Sequence, residues 1–203
     1  GYQAAYSTTT GGSNTAIGFT ALDANTTGTS NTAVGSYALT EATTATNNTA
    51  VGEGAMLLTT TGYSNDALGF QAMRNNTTGY LNVAMGYASL YSNTTGNHNT
   101  AVGHASLNKN TTGLYNTAIG TFSLDAATTA NSNTGLGYAS LTSATTGTHN
   151  TAVGDSSGFN ITTGQYNTMI GQGAGYNSAA AKNTFVGTSS GYNMTTGSSN
   201  TIL

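Results

Sequence analysis

One unit of 17 residues, repeated from end to end, constrains this chain more than any other feature. An Asn marks each step. Asn14, Asn31, Asn48, Asn65, Asn82, Asn99, Asn116, Asn133, Asn150 and Asn167 stand 17 apart, Asn183 comes one residue early, and Asn200 restores the interval. The unit reads N-T-A-(V/I/L/M)-G-x-x-(A/S)-(L/M)-x-x-x-T-T-G-x-x and continues through all 203 residues, so positions 1–203 form one uninterrupted array with no linker. A unit this short buries a core only by stacking on its neighbours. Gly, Thr and Asn dominate it, which disfavours helix. Thr-Ala-Val before Gly predicts a short strand, and Thr-Thr predicts a second β-prone pair before a turn. The fold expected is therefore all-β: a parallel β-solenoid of about twelve 17-residue rungs, in a rod on the order of 55 Å long at about 4.8 Å per rung.

The positions within the unit carry separate expectations. The fourth is always apolar (Ile17, Val34, Val51, Leu68, Met85, Val102, Ile119, Leu136, Val153, Ile170, Val186), which predicts an inward column, with the preceding Ala on the opposite face. The ninth supplies a second apolar column, Leu22, Leu39, Met56, Met73, Leu90, Leu107, Leu124 and Leu141. The Gly at the fifth position never varies, which points to a backbone demand such as positive φ or close approach. The Gly after Thr-Thr gives way to Ala45, Ala130 and Ala180, a softer demand. Stacked Asn at the first position predicts a structural amide ladder, Asn14 through Asn183. Two subtypes divide the array: Leu/Met rungs over 1–149, and Gly-aromatic rungs over 150–203, where Gly158-Phe159, Gly175-Tyr176 and Gly191-Tyr192 fill the ninth and tenth positions and the third enlarges to Met169, Phe185 and Ile202. That change predicts an altered cross-section near residue 150, either a widening or the approach to a neck.

Composition removes several function classes. Only 3 basic and 6 acidic residues are present, 4% of the chain, against roughly 25% in ordinary globular proteins. With a net charge of -3 there is no basic patch for nucleic acid or for an anionic membrane surface. No run of 18 apolar residues would insert into a bilayer. Cys is absent, which excludes disulfides and thiolate metal sites.

The N-T-A-V-G-x-x-(A/S) unit resembles the head repeat of trimeric autotransporter adhesins, the haemagglutinin-type repeat, whose usual form is nearer 14 residues with an Asn-Ser-Val-Ala-Ile-Gly core. The longer unit here, with Asn-Thr-Thr-Gly at Asn25–Gly28, Asn76–Gly79, Asn93–Gly96 and Asn110–Gly113, is more similar to repeats of phage tail fibres and related bacterial surface fibres, which often end in an endosialidase-type chaperone domain. The resemblance implies a left-handed parallel β-roll, three of them side by side as a homotrimer, located outside the cell on a cell surface or virion tail. Its implied partners are the chain itself and a cell-surface glycan or receptor. Both ends fall within a unit, which suggests a stretch of a longer fibrous protein.

No catalytic constellation is found. Glu41 and Glu53 are 12 residues apart and make no convincing carboxylate pair. Every Ser and Thr belongs to the repeat, and no nucleophile elbow occurs. His98 and His149 share one repeat position three rungs apart, too far to chelate one ion within a chain; three copies of one His around a trimer axis could bind a metal, but turn histidines are the simpler reading. The expectation is no enzyme, no cofactor and no resident metal. Asn25, Asn47, Asn75, Asn76, Asn93, Asn110, Asn160 and Asn193 head N-x-(S/T) triplets, which an Asn/Thr repeat produces automatically. Tyr63 and Tyr80 share one position after the Thr-Thr-Gly turn, with Tyr115 and Tyr166 one place later. Such an edge strip could stack on sugars, or pack on a neighbouring chain's turn. Two further function classes stay open: a self-assembling extracellular filament, and an ice-binding solenoid with Thr columns, of which strand alternation lets only one face out.

Overall fold

The computed structural model describes residues 1–203 in full. The chain is an all-β parallel solenoid without helix. Twelve short strands follow one another: β1 (Thr15–Ile17), β2 (Thr32–Val34), β3 (Thr49–Val51), β4 (Asp66–Leu68), β5 (Val83–Met85), β6 (Thr100–Val102), β7 (Thr117–Ile119), β8 (Thr134–Leu136), β9 (Thr151–Val153), β10 (Thr168–Ile170), β11 (Thr184–Val186) and β12 (Thr201–Ile202). They form one parallel sheet in sequence order. Like residues pair with like, Thr32 on Thr49, Ala33 on Ala50, Val34 on Val51. Each rung has this one strand only. The Thr-Thr segment is a bend rather than a second strand, yet it too is laddered along the rod, with Thr26 N–H donating to Thr43 O at 2.9 Å and Thr43 to Thr60 at 3.0 Å. The 16-residue unit keeps the pairing, Thr168 on Thr184. Its missing residue falls between Ser178 and Ala180, because the Asn167 amide still reaches the carbonyl of Ala180 at 2.9 Å. A Thr-Thr bend has lost one residue, and the sheet is untouched.

The phase of the strand is opposite to expectation. The first and third positions face inward: Ala33, Ala50, Ala84, Ala101 and Ala118 are fully buried, as are Asn31, Asn65 and Asn82. The fourth-position column, expected inside, lies on the outer face, with Ile17, Leu68, Leu136 and Ile170 exposed. Alternation holds; what decides the phase is the Asn. Its amide hydrogen-bonds across the interior, and positions one and three share a face, so Ala goes in and Val or Ile goes out. The second apolar column is where it was expected: Leu22, Leu39, Met56, Met73, Leu90, Leu107, Leu124 and Leu141 are fully buried. The core is thus a narrow file, one large side chain per rung beside an Ala and an Asn.

Near residue 150 the large interior side chain changes position. In the rung of β9 it is Ile161, fully buried. In the rungs of β10 and β11 it moves onto the strand as Met169 and Phe185, and the ninth position shrinks to Gly to admit it: a Cβ on Gly175 would lie 2.9 Å from both Met169 Cγ and Phe185 Cδ2. Each of these rungs keeps one large buried side chain, as close packing requires.

The invariant Gly meets both demands at once. Gly103 has φ +130°, and a Cβ there would come within 2.7 Å of the Gly120 carbonyl of the next rung. Other corners reach left-handed φ without glycine, as at Tyr37 (+59°), Leu39 (+53°) and Ser30 (+59°). These corners turn the chain into its closed loop at about 1–2 kcal/mol each. Ser30 is exposed. Ser30→Gly is accordingly expected to stabilise the chain by about 0.5–1 kcal/mol, after allowing for the greater unfolded freedom of Gly, and Ser30→Val to destabilise it by at least as much. Parallel thermal melts of the two variants check this; Val melting above Gly would contradict it.

Candidate functional surface

The Asn column is structural and saturated with hydrogen bonds. The Asn99 amide donates to Asn82 Oδ1 at 3.2 Å and to Gly113 O at 2.9 Å, while its own Oδ1 accepts from the backbone and side-chain amides of Asn116 at 3.0 and 3.1 Å. The pattern runs from Asn14 to Asn200, with one departure where the Asn183 amide reaches Gly197 O and only its backbone N–H meets Asn167. A second, shorter buried ladder, not foreseen from the sequence, links Asn76, Asn93 and Asn110 at 2.8 Å per step. It stops where Ala127 takes the twelfth position, and Asn110 Oδ1 is left buried without a donor. The signal was present in the Asn-Thr-Thr-Gly tetrads, whose shared spacing puts those Asn side chains in one file.

The surface aromatics are laddered as well. Tyr63 and Tyr80 stack at 4.8 Å and 6°, Tyr80 meets His98 edge to face, and His98 stacks on Tyr115 at 4.9 Å. Tyr166 stacks on His149 at 4.9 Å. The four tyrosines singled out from sequence therefore belong to strips that include the two histidines. Within the Tyr63–Tyr80 stack the ring faces are turned on each other, so that edges and hydroxyls remain for an outside partner. On the other flank of the sheet runs a second strip, Phe70–Tyr87–His104–Phe122–Tyr138, with centroid steps of 5.3, 5.0, 5.3 and 6.3 Å. A shorter segment, Tyr2–Phe19–Tyr37, precedes it. Between Tyr37 and Phe70 the corner of the β3 rung carries Glu53 and Gly54 instead, and there the surface opens into a concavity of about 330 Å³.

The face between the two strips is the outer side of the sheet, with the Thr column at position two and the Val/Ile/Leu/Met column at position four. Asp66 is its one charged residue. Five of the others, Asp23, Glu41, Arg74, Lys109 and Asp125, sit at positions ten and eleven, off the sheet face. Lys109 and Asp125 form the chain's one ion pair, at 3.6 Å. Glu41 and Glu53 occupy different corners of the rung, positions eleven and six. No group of three or more His, Asp or Glu side chains is placed to hold a metal ion, and no helix is long and apolar enough to cross a membrane. In the Thr-Thr pairs the first hydroxyl is spent on the next rung, as Thr77 Oγ1 donating to Thr94 O at 2.9 Å, and the second, such as Thr78, is exposed.

The fold defines the class, a parallel β-solenoid repeat protein. Compared with family models, curated proteins and solved structures, the chain matches none.

Proposed function

We propose that this chain is a non-enzymatic structural and adhesive fibre segment, working outside the cell as a rigid homotrimeric shaft or head for attachment to a host or a surface, in the manner of a phage tail fibre or a bacterial surface adhesin. The observation that carries this reading is the outer face of the sheet. An apolar side chain stands on it in every rung from β1 to β11, half-buried or exposed, and no other part of the chain covers it. Lone proteins rarely leave a contiguous apolar strip of this length, on the order of 50 Å, open to water. One interior file of large side chains is also a small core for 17 ordered residues per rung, so packing the outer face against copies of the chain supplies what each rod lacks. A closed ring of three buries that face on every copy at once. The partners on this reading are the chain itself and a glycan or receptor on the target surface.

Sedimentation velocity over a dilution series tests it. The expected result is a discrete, elongated species of about 61 kDa, three times the 20.3 kDa chain. A monomer at every concentration overturns the trimer. Open-ended polymers that persist on dilution would instead identify a self-assembling filament.

A further inference from the structure

The concavity below Tyr37 is lined by Tyr37, Glu53, Gly54, Leu57, Gln71 and Arg74. We infer that it is a binding site for one acidic sugar residue of a surface polysaccharide or glycan, its carboxylate held by Arg74 and its ring set against Tyr37. This deepens the attachment reading and rests on it for the ligand class alone.

The site is a departure from the repeat. The corner strip of aromatics is broken only at the β3 rung over the stretch from Tyr2 to Tyr138, by Glu53 and Gly54. Gly54 has φ +64°, and a Cβ there would make ordinary contact with Gln71 Cγ at 3.6 Å, so a side chain fits and its absence opens the floor. Tyr37 lines the notch with no aromatic partner on that side, Phe19 being its one ring neighbour. In a chain with 9 charged residues, Arg74 is the single arginine, and it stands with Glu53 in the same concavity. The two form no ion pair, and the guanidinium makes only a 3.3 Å hydrogen bond to neighbouring Asn75. An arginine so placed has its fork free for a planar carboxylate. Glu53 and Gln71 offer acceptors, and Gln71 a donor, to ring hydroxyls, and Tyr37 and Leu57 offer apolar contact to a ring's C–H face. At about 330 Å³ the notch lies at the small end of ligand sites. Tyr37 and Glu53 at its rim are exposed and the notch is shallow, so it suits a free small molecule poorly. One residue of a longer chain lying across the rod suits it better. The positions that build it, six, seven and ten, lie beyond the edge of the sheet face, and the site stays open when that face is covered.

Saturation-transfer NMR on the full chain tests the site, with methyl β-glucuronide and methyl α-N-acetylneuraminide as probes against methyl β-glucoside. The acidic glycosides are expected to bind at least tenfold more tightly than the neutral one. Arg74→Gln should remove at least tenfold of that affinity. Gly54→Tyr, which places in the β3 rung the side chain that Tyr37 already carries at a matching φ, should abolish binding by filling the notch. Sedimentation of both variants should match the parent; Arg74→Gln should also melt with it, and Gly54→Tyr should melt somewhat lower in one cooperative transition, because a side chain at φ +64° is strained. Absence of binding by either acidic glycoside, equal binding of the neutral one, or binding that survives both substitutions would overturn the site. Sedimentation reports the trimer independently, so a trimer that binds no acidic sugar refutes this site and leaves the fibre reading standing.

Discussion

Asn99→Asp is expected to destabilise the rod by about 3–5 kcal/mol at neutral pH, although it exchanges one NH2 for one oxygen. Asn99 is buried and uses both amide hydrogens and both lone pairs of its carbonyl oxygen. In the variant, Asn82 Oδ1 loses a side-chain donor, Gly113 O loses the nearer of its two donors and keeps only the Asn110 amide at 3.3 Å, and both face an oxygen in a region without counter-charge. Burial and opposed acceptors favour the protonated acid, so the folded-state pKa of the new carboxyl rises above its unfolded value. The folded state then binds more protons than the unfolded one over that window, and stability falls as pH rises through it. The variant should therefore come closest to the parent in acid and diverge from it toward neutrality. Denaturant titrations at acid and neutral pH measure this, with Asn47→Asp as the control, since Asn47 is exposed at a turn corner. Equal stability of Asn99→Asp and Asn47→Asp at neutral pH would show that the ladder contributes little. A solenoid unfolds by rungs, so hydrogen exchange at the β5 to β7 rungs is the sharper readout: protection should drop there first.

The repeat, its phase along the chain and the parallel in-register stacking were readable from spacing alone, because a fixed period of 17 leaves in-register stacking as the way for like side chains to meet; that Thr-Thr bends and forms no second strand was not. The ninth-position Leu column and the double constraint on the fifth-position Gly followed from the same regularity. The inward face was misread by ranking Val over Ala as core. Hydrophobicity usually decides such a choice, but here the Asn amides decide it, since a polar group bonded to its copy above and below is cheaper inside than Val is outside. The left-handed corners had little local signature, because Leu, Tyr, Ser and His occupy most of them, with Gly or Asn only at scattered corners such as Asn47 and Gly54. They follow from closing a loop of 17 residues, which is a tertiary demand. The notch was hidden for a related reason: Glu53-Gly54 reads as ordinary turn variation until the strip of rings around it is seen.

Changing Leu68, Leu136 and Ile170 together to Glu is expected to convert the proposed trimer into monomer while leaving the solenoid folded. All three are exposed on the outer sheet face, on β4, β8 and β10. Their separations, at least two rungs or about 9–10 Å, keep the new carboxylates of one chain near or beyond a Debye length apart. In an isolated rod they simply point into water, and far-UV circular dichroism should retain its β signature. In a trimer with equal rungs at equal heights, three carboxylates would converge at each of three levels and lose their hydration, at several kcal/mol per ion, with no cation among the facing residues to compensate. Thr78, Thr146 and Thr163 are exposed in the bends, off the sheet, and Glu at those three positions adds the same net charge without entering the face. The bend variant should sediment with the parent near 61 kDa, and the face variant near the 20.3 kDa of one chain. Trimer in both would place the interface elsewhere on the rod, and dissociation of both would trace assembly to net charge rather than to this face. Monomer in the face variant alone shows that the residues expected to fill the core instead hold the fibre together.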